Sequence, residues 1–267
     1  MNLSFYCSGN VNAPVVMLLH GFLGSAKDWW SLMEFLKDDY YLIAIDLSGH
    51  GFSQWVAEDR QGHSSFCHRL EQTVQCIERV EGICLKQFSL LGYSLGGRLA
   101  MAYTIAFPQR IERLLLEGAH PGLTSEQERS ARYKSDCQWA WRFRQEPVAD
   151  VLWDWYKQPV FSGLNDCQIR SLIDERSKGR GALLADVLMT FSLSKQPNYC
   201  RALYQLRMGS PYPSIHYFHG ENDYKFGSLG RHLLAERVIH SVHSVRECGH
   251  NVHREQPETM ARLLRAL

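Results

Sequence analysis

A serine acts as a nucleophile or a base only when an imidazole can take its proton and an acid fixes that imidazole's tautomer. The chain offers all three in the order Ser94, Asp223, His250. Ser94 is the centre of Gly92-Tyr93-Ser94-Leu95-Gly96, a G-x-S-x-G. An apolar run, Phe88–Leu91, precedes it, and small and apolar residues at helical spacing, Gly96–Ala106, follow it. That context predicts a sharp strand-to-helix turn with Ser94 strained at its apex, the flanking glycines letting the two arms pass without a Cβ clash. The plainer alternative, a glycine-rich turn carrying a solvent serine, does not account for the strand before the motif or the helix after it. Asp223 closes Gly220-Glu221-Asn222-Asp223, a cluster that also suits an ordinary exposed turn. His250 follows Gly249 in a loop after the last apolar run; His253 is its nearest competitor and lacks that position.

Three residues so far apart in the chain need one common edge. Val15–Leu19, Tyr41–Ile45, Phe88–Leu91, Ile111–Glu117, Ser214–His219 and His243–Arg246 read as strands. Helical spacing marks Trp29–Leu36, Ser64–Arg79, Gly96–Ala106, Leu229–Glu236 and Pro257–Leu267. Alternating strands and helices imply right-handed crossovers, hence an α/β fold with a mostly parallel sheet and helices on both faces. The turn His20 to Ser25 follows the first strand directly and can aim the Phe22 amide into a cleft. With the Leu95 amide it would form an oxyanion hole.

Between residues 121 and 207 the alternation stops. Trp139, Trp141, Trp153 and Trp155 fall there, with arginines at 129, 132, 142, 144, 170, 176 and 180. Residues 1–120 and 208–267 therefore read as the core, and 121–207 as a helical lid over the C-terminal edge of the sheet, where open α/β sheets bind ligands. Any one of these arginines is more simply a solvated helix face; the set suggests a pocket for anions.

The 267 residues carry a formal net charge of +1, which gives no reason to expect nucleic acid as a partner. The first 14 residues do not read as a signal peptide, and the longest apolar run is too short to cross a bilayer. The eight cysteines are scattered without a C-x-x-C pair, which argues against a zinc site or redox dithiol and points to a cytoplasmic protein with free thiols. Cys248, close to His250, reads as a packing residue. No obligate interface is evident, so a monomer is expected.

The motifs HGF, DxxGxG, GYSLGG, GxxD and GH resemble the α/β-hydrolase superfamily, whose chain order of serine, acid and histidine is the one found here. Longer strings, GYSLGGR (92–98), EGAHPGL (117–123), SDCQW (135–139), DWYKQPVF (154–161) and GHNVHREQP (249–257), are similar to the 2-succinyl-6-hydroxy-2,4-cyclohexadiene-1-carboxylate synthases of menaquinone biosynthesis. The likeness runs from His20 to Pro257 and includes the lid. Ser48 departs from the wider superfamily, where a proline is usual, and should change loop stiffness rather than chemistry. The resemblance implies a lyase that eliminates pyruvate from 2-succinyl-5-enolpyruvyl-6-hydroxy-3-cyclohexene-1-carboxylate, with the triad serine as general base and no metal or organic cofactor. It implies that Arg98, Arg132 and Arg176 hold substrate carboxylates and that Tyr93 and Trp155 wall the pocket. Arg98, a charge in a small-apolar helix start one turn after Ser94, is marked by its position as well. Two alternatives stay open: a carboxylic ester or thioester hydrolase with Ser94 as nucleophile, and a non-catalytic small-ligand-binding protein, against which the intact triad speaks.

Overall fold

Short apolar runs bounded by glycine become the buried strands of one sheet. In the computed structural model, which describes residues 1–209 and 213–267, these are β1 (Phe5–Ser8), β2 (Val15–Leu19), β3 (Tyr41–Ile45), β4 (Phe88–Tyr93), β5 (Ile111–Glu117), β6 (Ser214–Gly220) and β7 (Ser241–Val245). The order is β1-β3-β2-β4-β5-β6-β7, and only β1 runs antiparallel to its neighbour. β1 was not expected from the sequence. It has four half-buried residues at the sheet's edge, too few for a periodic signal. Residues 210–212, inside the expected second core segment, lie outside the described residues.

The helices are α1 (Trp30–Leu36), α2 (His63–Glu81), α3 (Leu95–Ala106), α4 (Glu126–Gln145), α5 (Val148–Trp155), α6 (Asp166–Arg176), α7 (Gly181–Thr190), α8 (Cys200–Met208), α9 (Tyr224–Ala235), α10 (Val252–Glu255) and α11 (Pro257–Arg265). One face of the sheet packs Phe66, Leu70 and Val74 of α2 and Leu99 and Tyr103 of α3 against Met17, Ile43 and Leu90. The other packs Leu32 and Leu36 of α1 and Met260 and Leu264 of α11 against Val16, Leu42 and Leu91. Both faces are covered, as a parallel sheet requires.

Between β5 and β6 the described chain is helical, α4 through α8. α4 starts where the sequence provides a reciprocal cap: Ser125 Oγ accepts from the Glu128 amide at 3.1 Å, and Glu128 returns a bond to the Ser125 amide. Helices α4–α7 bury a small core of their own around Phe143, Leu152, Tyr156 and Leu188. Leu203 of α8 instead joins the core beneath the sheet, beside α3. α9 begins five residues before the expected Leu229, because Asp223 caps it through a bond from the Phe226 amide at 3.2 Å.

Parallel pairing sets the C-terminal ends of the strands in a row. Leu19 pairs with Gly92, Tyr93 with Glu117 and Gly220 with Val245. The turn after β4 is possible only with glycine beside it: a Cβ on Gly96 would collide with the Leu19 carbonyl, and one on Gly92 would press into the α3 backbone. Gly96→Ala is therefore expected to prevent folding or lower Tm sharply. Gly163→Ala, where a new Cβ meets nothing within 4 Å and the backbone is unstrained, should leave Tm unchanged or raise it slightly. Thermal melts of the two variants check this.

Candidate active site

Ser94 adopts φ 49°, ψ −108°, a conformation that costs a non-glycine residue about 1–3 kcal/mol. Its amide donates to Glu117 O at 2.8 Å and its carbonyl accepts from the Arg98 amide at 3.0 Å, so neighbours on both sides hold the turn. Beyond β5, His250 Nδ1 donates to Asp223 Oδ2 at 2.6 Å, and both residues are buried. With Nδ1–H committed to the carboxylate, Nε2 is the ring nitrogen free to accept a proton. The ring packs on Tyr93 and Phe226, with centroids 5.2 and 4.7 Å away, and lies against Gly118. Only the Asp223–His250 arm is closed; the bond to the serine is of the kind that tightens around substrate. His253 takes a different partner. It is fully buried and donates from Nδ1 to Glu117 at 2.8–2.9 Å, stacked on Trp29.

Leu95 opens α3, so its amide has no acceptor within the helix. Phe22 lies in the loop after β2, which is shaped from behind by two buried histidines. His20 Nε2 accepts from the Leu47 amide at 3.0 Å, and His50 Nε2 accepts from the Leu23 amide at 3.1 Å. Both rings are thereby neutral donors at Nδ1, to Gly21 O and Ser48 O. Burial, reinforced by His20, pushes His50 down to about 3. Ser48 bonds to Asp59 at 2.8 Å, and Arg69 donates to both, so hydrogen bonds fix the corner at Ser48.

A cavity opens over Ser94. Its walls include Phe22, Leu95, Trp155, Leu188 and Phe226, and its charged members are Arg98, Arg132 and Lys225, with His120 beside them. No carboxylate is among the lining residues. Arg98 is buried, yet its bonds go to neutral acceptors: Gln196 Oε1 at 3.1 Å and Phe191 O at 2.7 Å. Burial, and next the charge of Arg132, push its pKa down to about 9, which leaves it a cation at neutral pH. Arg132 bonds Asp136 through Nε alone, at 2.9 Å to each oxygen, and its terminal nitrogens remain for the cavity. Lys225 stands at the mouth. Desolvation, and then Arg132, lower its pKa. Neither Lys225 nor His120 was singled out from the sequence; Lys225 lies two residues past Asp223, a proximity that could have flagged it.

Two expected pocket residues lie elsewhere. Tyr93 is behind the elbow, between the rings of His250 and His253, and does not line the cavity. Arg176 is likewise absent from the walls, because other groups hold its guanidinium: it donates to Asp28 Oδ2 at 2.8 Å and Tyr156 Oη at 2.6 Å. Asp28 also accepts from Arg254 at 2.8 Å, and Arg254 reaches Glu175 on α6. This cluster ties the α6 end of the helical segment to the turn before α1 and to α10. The charges of Arg176 and Arg254 hold the Asp28 carboxyl below its usual range although burial opposes them.

Residues 14–257 match the alpha/beta hydrolase fold family. The 2-succinyl-6-hydroxy-2,4-cyclohexadiene-1-carboxylate synthase of Enterobacter sp. (strain 638) is 38% identical over 257 residues, covering 96% of this chain and 92% of the relative. The synthase of Escherichia coli O1:K1 / APEC is 38% identical over 261 residues, covering 96% of each. The chain belongs to this synthase family. Among solved structures, MenH from S. aureus superposes with a TM-score of 0.85 at 24% identity, over 99% of this chain and 97% of that one. A thermophilic esterase from Thermogutta terrifontis gives 0.77 at 21%, over 99% and 92%. Both share the fold of this chain. Among the described residues no group of side chains is placed to hold a metal ion, and no helix is long and apolar enough to cross a membrane.

Two outcomes follow for stability. Asp28→Asn takes the carboxylate from the largely buried Arg176, while Arg254 keeps Glu175, and should cost about 3–5 kcal/mol at pH 7. It should also remove the wild type's loss of stability as pH falls through the lowered Asp28 pKa. His50 binds a proton in the unfolded chain below about pH 6.5 but in the fold only near 3, so the folded state weakens on acidification across that window, by about 1.4 kcal/mol per pH unit. Urea unfolding between about pH 2 and 8 measures both, the Asp28 loss lying below about pH 4 and the His50 loss above about pH 3; a His50→Asn variant should show a shallower slope.

Proposed function

We propose that this chain eliminates pyruvate from 2-succinyl-5-enolpyruvyl-6-hydroxy-3-cyclohexene-1-carboxylate, giving 2-succinyl-6-hydroxy-2,4-cyclohexadiene-1-carboxylate. Family membership supplies the reaction. The observation that carries the reading to this site is Arg98: a buried guanidinium beside Ser94, bonded only to neutral acceptors, in a cavity with two further cations and no lining carboxylate. An unpaired buried charge is costly, and a substrate anion is the partner that relieves it.

In this reading Asp223 orients His250, and His250 Nε2 draws the proton from Ser94. The serine oxygen then removes the proton α to the succinyl ketone. Charge gathers on the ketone oxygen, where the Phe22 and Leu95 amides receive it. Arg98 and Arg132 hold carboxylates, and Trp155 and Phe22 flank the ring. Arg176, bound to Asp28, and Tyr93, behind the elbow, support the site without touching substrate. Residues 121–207 act as the lid, and the enzyme works as a cytoplasmic monomer without a metal or organic cofactor.

Ester hydrolysis with Ser94 as nucleophile is the second reading. It is supported by the same elbow and by the fold shared with esterases. Purified protein mixed with the enolpyruvyl precursor should release pyruvate, while nitrophenyl esters should turn over slowly or not at all; the reverse pattern favours hydrolysis. Ser94→Ala, Asp223→Asn and His250→Ala should each lower turnover by about 10³-fold or more with the melting curve preserved. Full pyruvate release by Ser94→Ala would refute the serine base. Arg98→Ala should raise KM by about 10–100-fold, the worth of one charged hydrogen bond; unchanged kinetics would make Arg98 structural.

A further inference from the structure

Ser94 ends β4, and its two neighbours in the sheet differ. β2 lies on one side and leads to Phe22; β5 lies on the other and leads through Gly118 to His120, with β6 and Lys225 beyond. If the ketone oxygen sits on the Phe22 and Leu95 amides, the rest of the substrate extends toward β5 and β6. Two polar side chains line the cavity there that the elimination has so far not used, the cation Lys225 and His120, and of the two only His120 presents a fixed neutral donor.

His120 is built in one protonation state and one orientation. Its Nδ1 accepts from the Gly122 amide at 3.1 Å, so a neutral ring must carry its hydrogen on Nε2. Nε2 has no acceptor among the described residues, and the ring lines the cavity. The loop is fixed around it. Gln196, fully buried, donates to His120 O at 3.0 Å while its Oε1 accepts from Arg98, and Tyr217 Oη donates to Ala119 O at 3.0 Å. Gly122, at φ 126°, lies so close to the backbone of Pro197 and Asn198 that a side chain there would clash.

We propose that His120 is a catalytic residue: its neutral Nε2–H donates a hydrogen bond to the ether oxygen of the departing enolpyruvyl group. This rests on the elimination reading and adds the group that receives charge at the leaving end. As the α-proton is removed, the ring C–O bond breaks and its electron pair passes to that oxygen. The enolate of pyruvate then takes up, at its methylene carbon, one proton in place of the one removed. Nothing is oxidised and no water is consumed. His120 keeps its own hydrogen throughout, since losing it would leave an imidazolate; it works as a neutral electrophile, a role imidazole can fill when cations nearby keep it unprotonated. The surroundings meet that condition: burial, followed by the charges of Lys225, Arg98 and Arg132, pushes the ring down to about 4.

The test uses the full chain and the enolpyruvyl precursor. His120→Phe keeps an aromatic ring but no donor and should lower kcat about a hundredfold with KM little moved. His120→Gln restores an N–H and should recover much of the loss. In parallel, ¹⁵N spectra of histidine-labelled wild type, assigned with the Phe variant, should show His120 neutral and protonated on Nε2 from pH 6 to 8. Wild-type kcat from His120→Phe, an imidazolium at pH 7, or the Nδ1–H tautomer would overturn the assignment while leaving the elimination reading in place. If wild type releases no pyruvate, the elimination reading fails first. Should His120→Phe not fold, the Gln variant and the spectra decide.

Discussion

The strained turn at Ser94 is the constraint that the surrounding structure serves. A serine at φ 49° persists only where its neighbours over-determine it. Here the elbow amide is bonded to Glu117 O, and the Glu117 side chain is bonded to His253, which stacks on Trp29. The tyrosine before the serine fills the space between His253 and His250. The second histidine of the terminal loop thus stabilises the elbow, while the first is paired with Asp223. One loop after β7 supplies both, and the contact between Gly220 and Gly249, too close for any side chain on Gly220, keeps that loop against Asp223.

Charge is arranged unevenly around this turn. On one side Asp28 and Glu175 pair with Arg176 and Arg254 and fasten the helical segment to the core. On the other, Arg98, Arg132 and Lys225 face the same space with one carboxylate, Asp136, bonded to one nitrogen of one of them. Three cations around one cavity, with Arg98 buried among them, are unfavourable in the free protein and favourable once an anion enters. Asp223 serves two elements at once: one carboxylate oxygen caps α9 and the other holds His250. The acid that holds His250 is therefore placed by the fold's own need to begin a helix, and Lys225, two residues on, is carried to the cavity by the same turn.

Much of this was legible in the sequence, for reasons that differ by element. The central strands are continuous apolar runs, and each stands within about two residues of where periodicity put it. The elbow was legible because G-x-S-x-G between a strand and a helix admits few other geometries, and the pairing of Asp223 with His250 rather than His253 followed from the glycine before it. β1 was hidden by its four-residue length, and the start of α9 by a capping aspartate that also looks like a turn residue. The arginines show the limit of such reading. The family resemblance marked Arg132 and Arg176 alike, yet one reaches the cavity and the other is claimed by Asp28, an acid from a distant turn that no local pattern connects to it.

The central claim is that Ser94 removes a proton and never bonds to carbon. Intact-mass spectrometry of the enzyme, quenched while the enolpyruvyl precursor is being consumed, tests it most directly. The account predicts the mass of the unmodified chain at every time point as pyruvate accumulates. A covalent adduct that maps to Ser94 and turns over at the rate of product formation would contradict it.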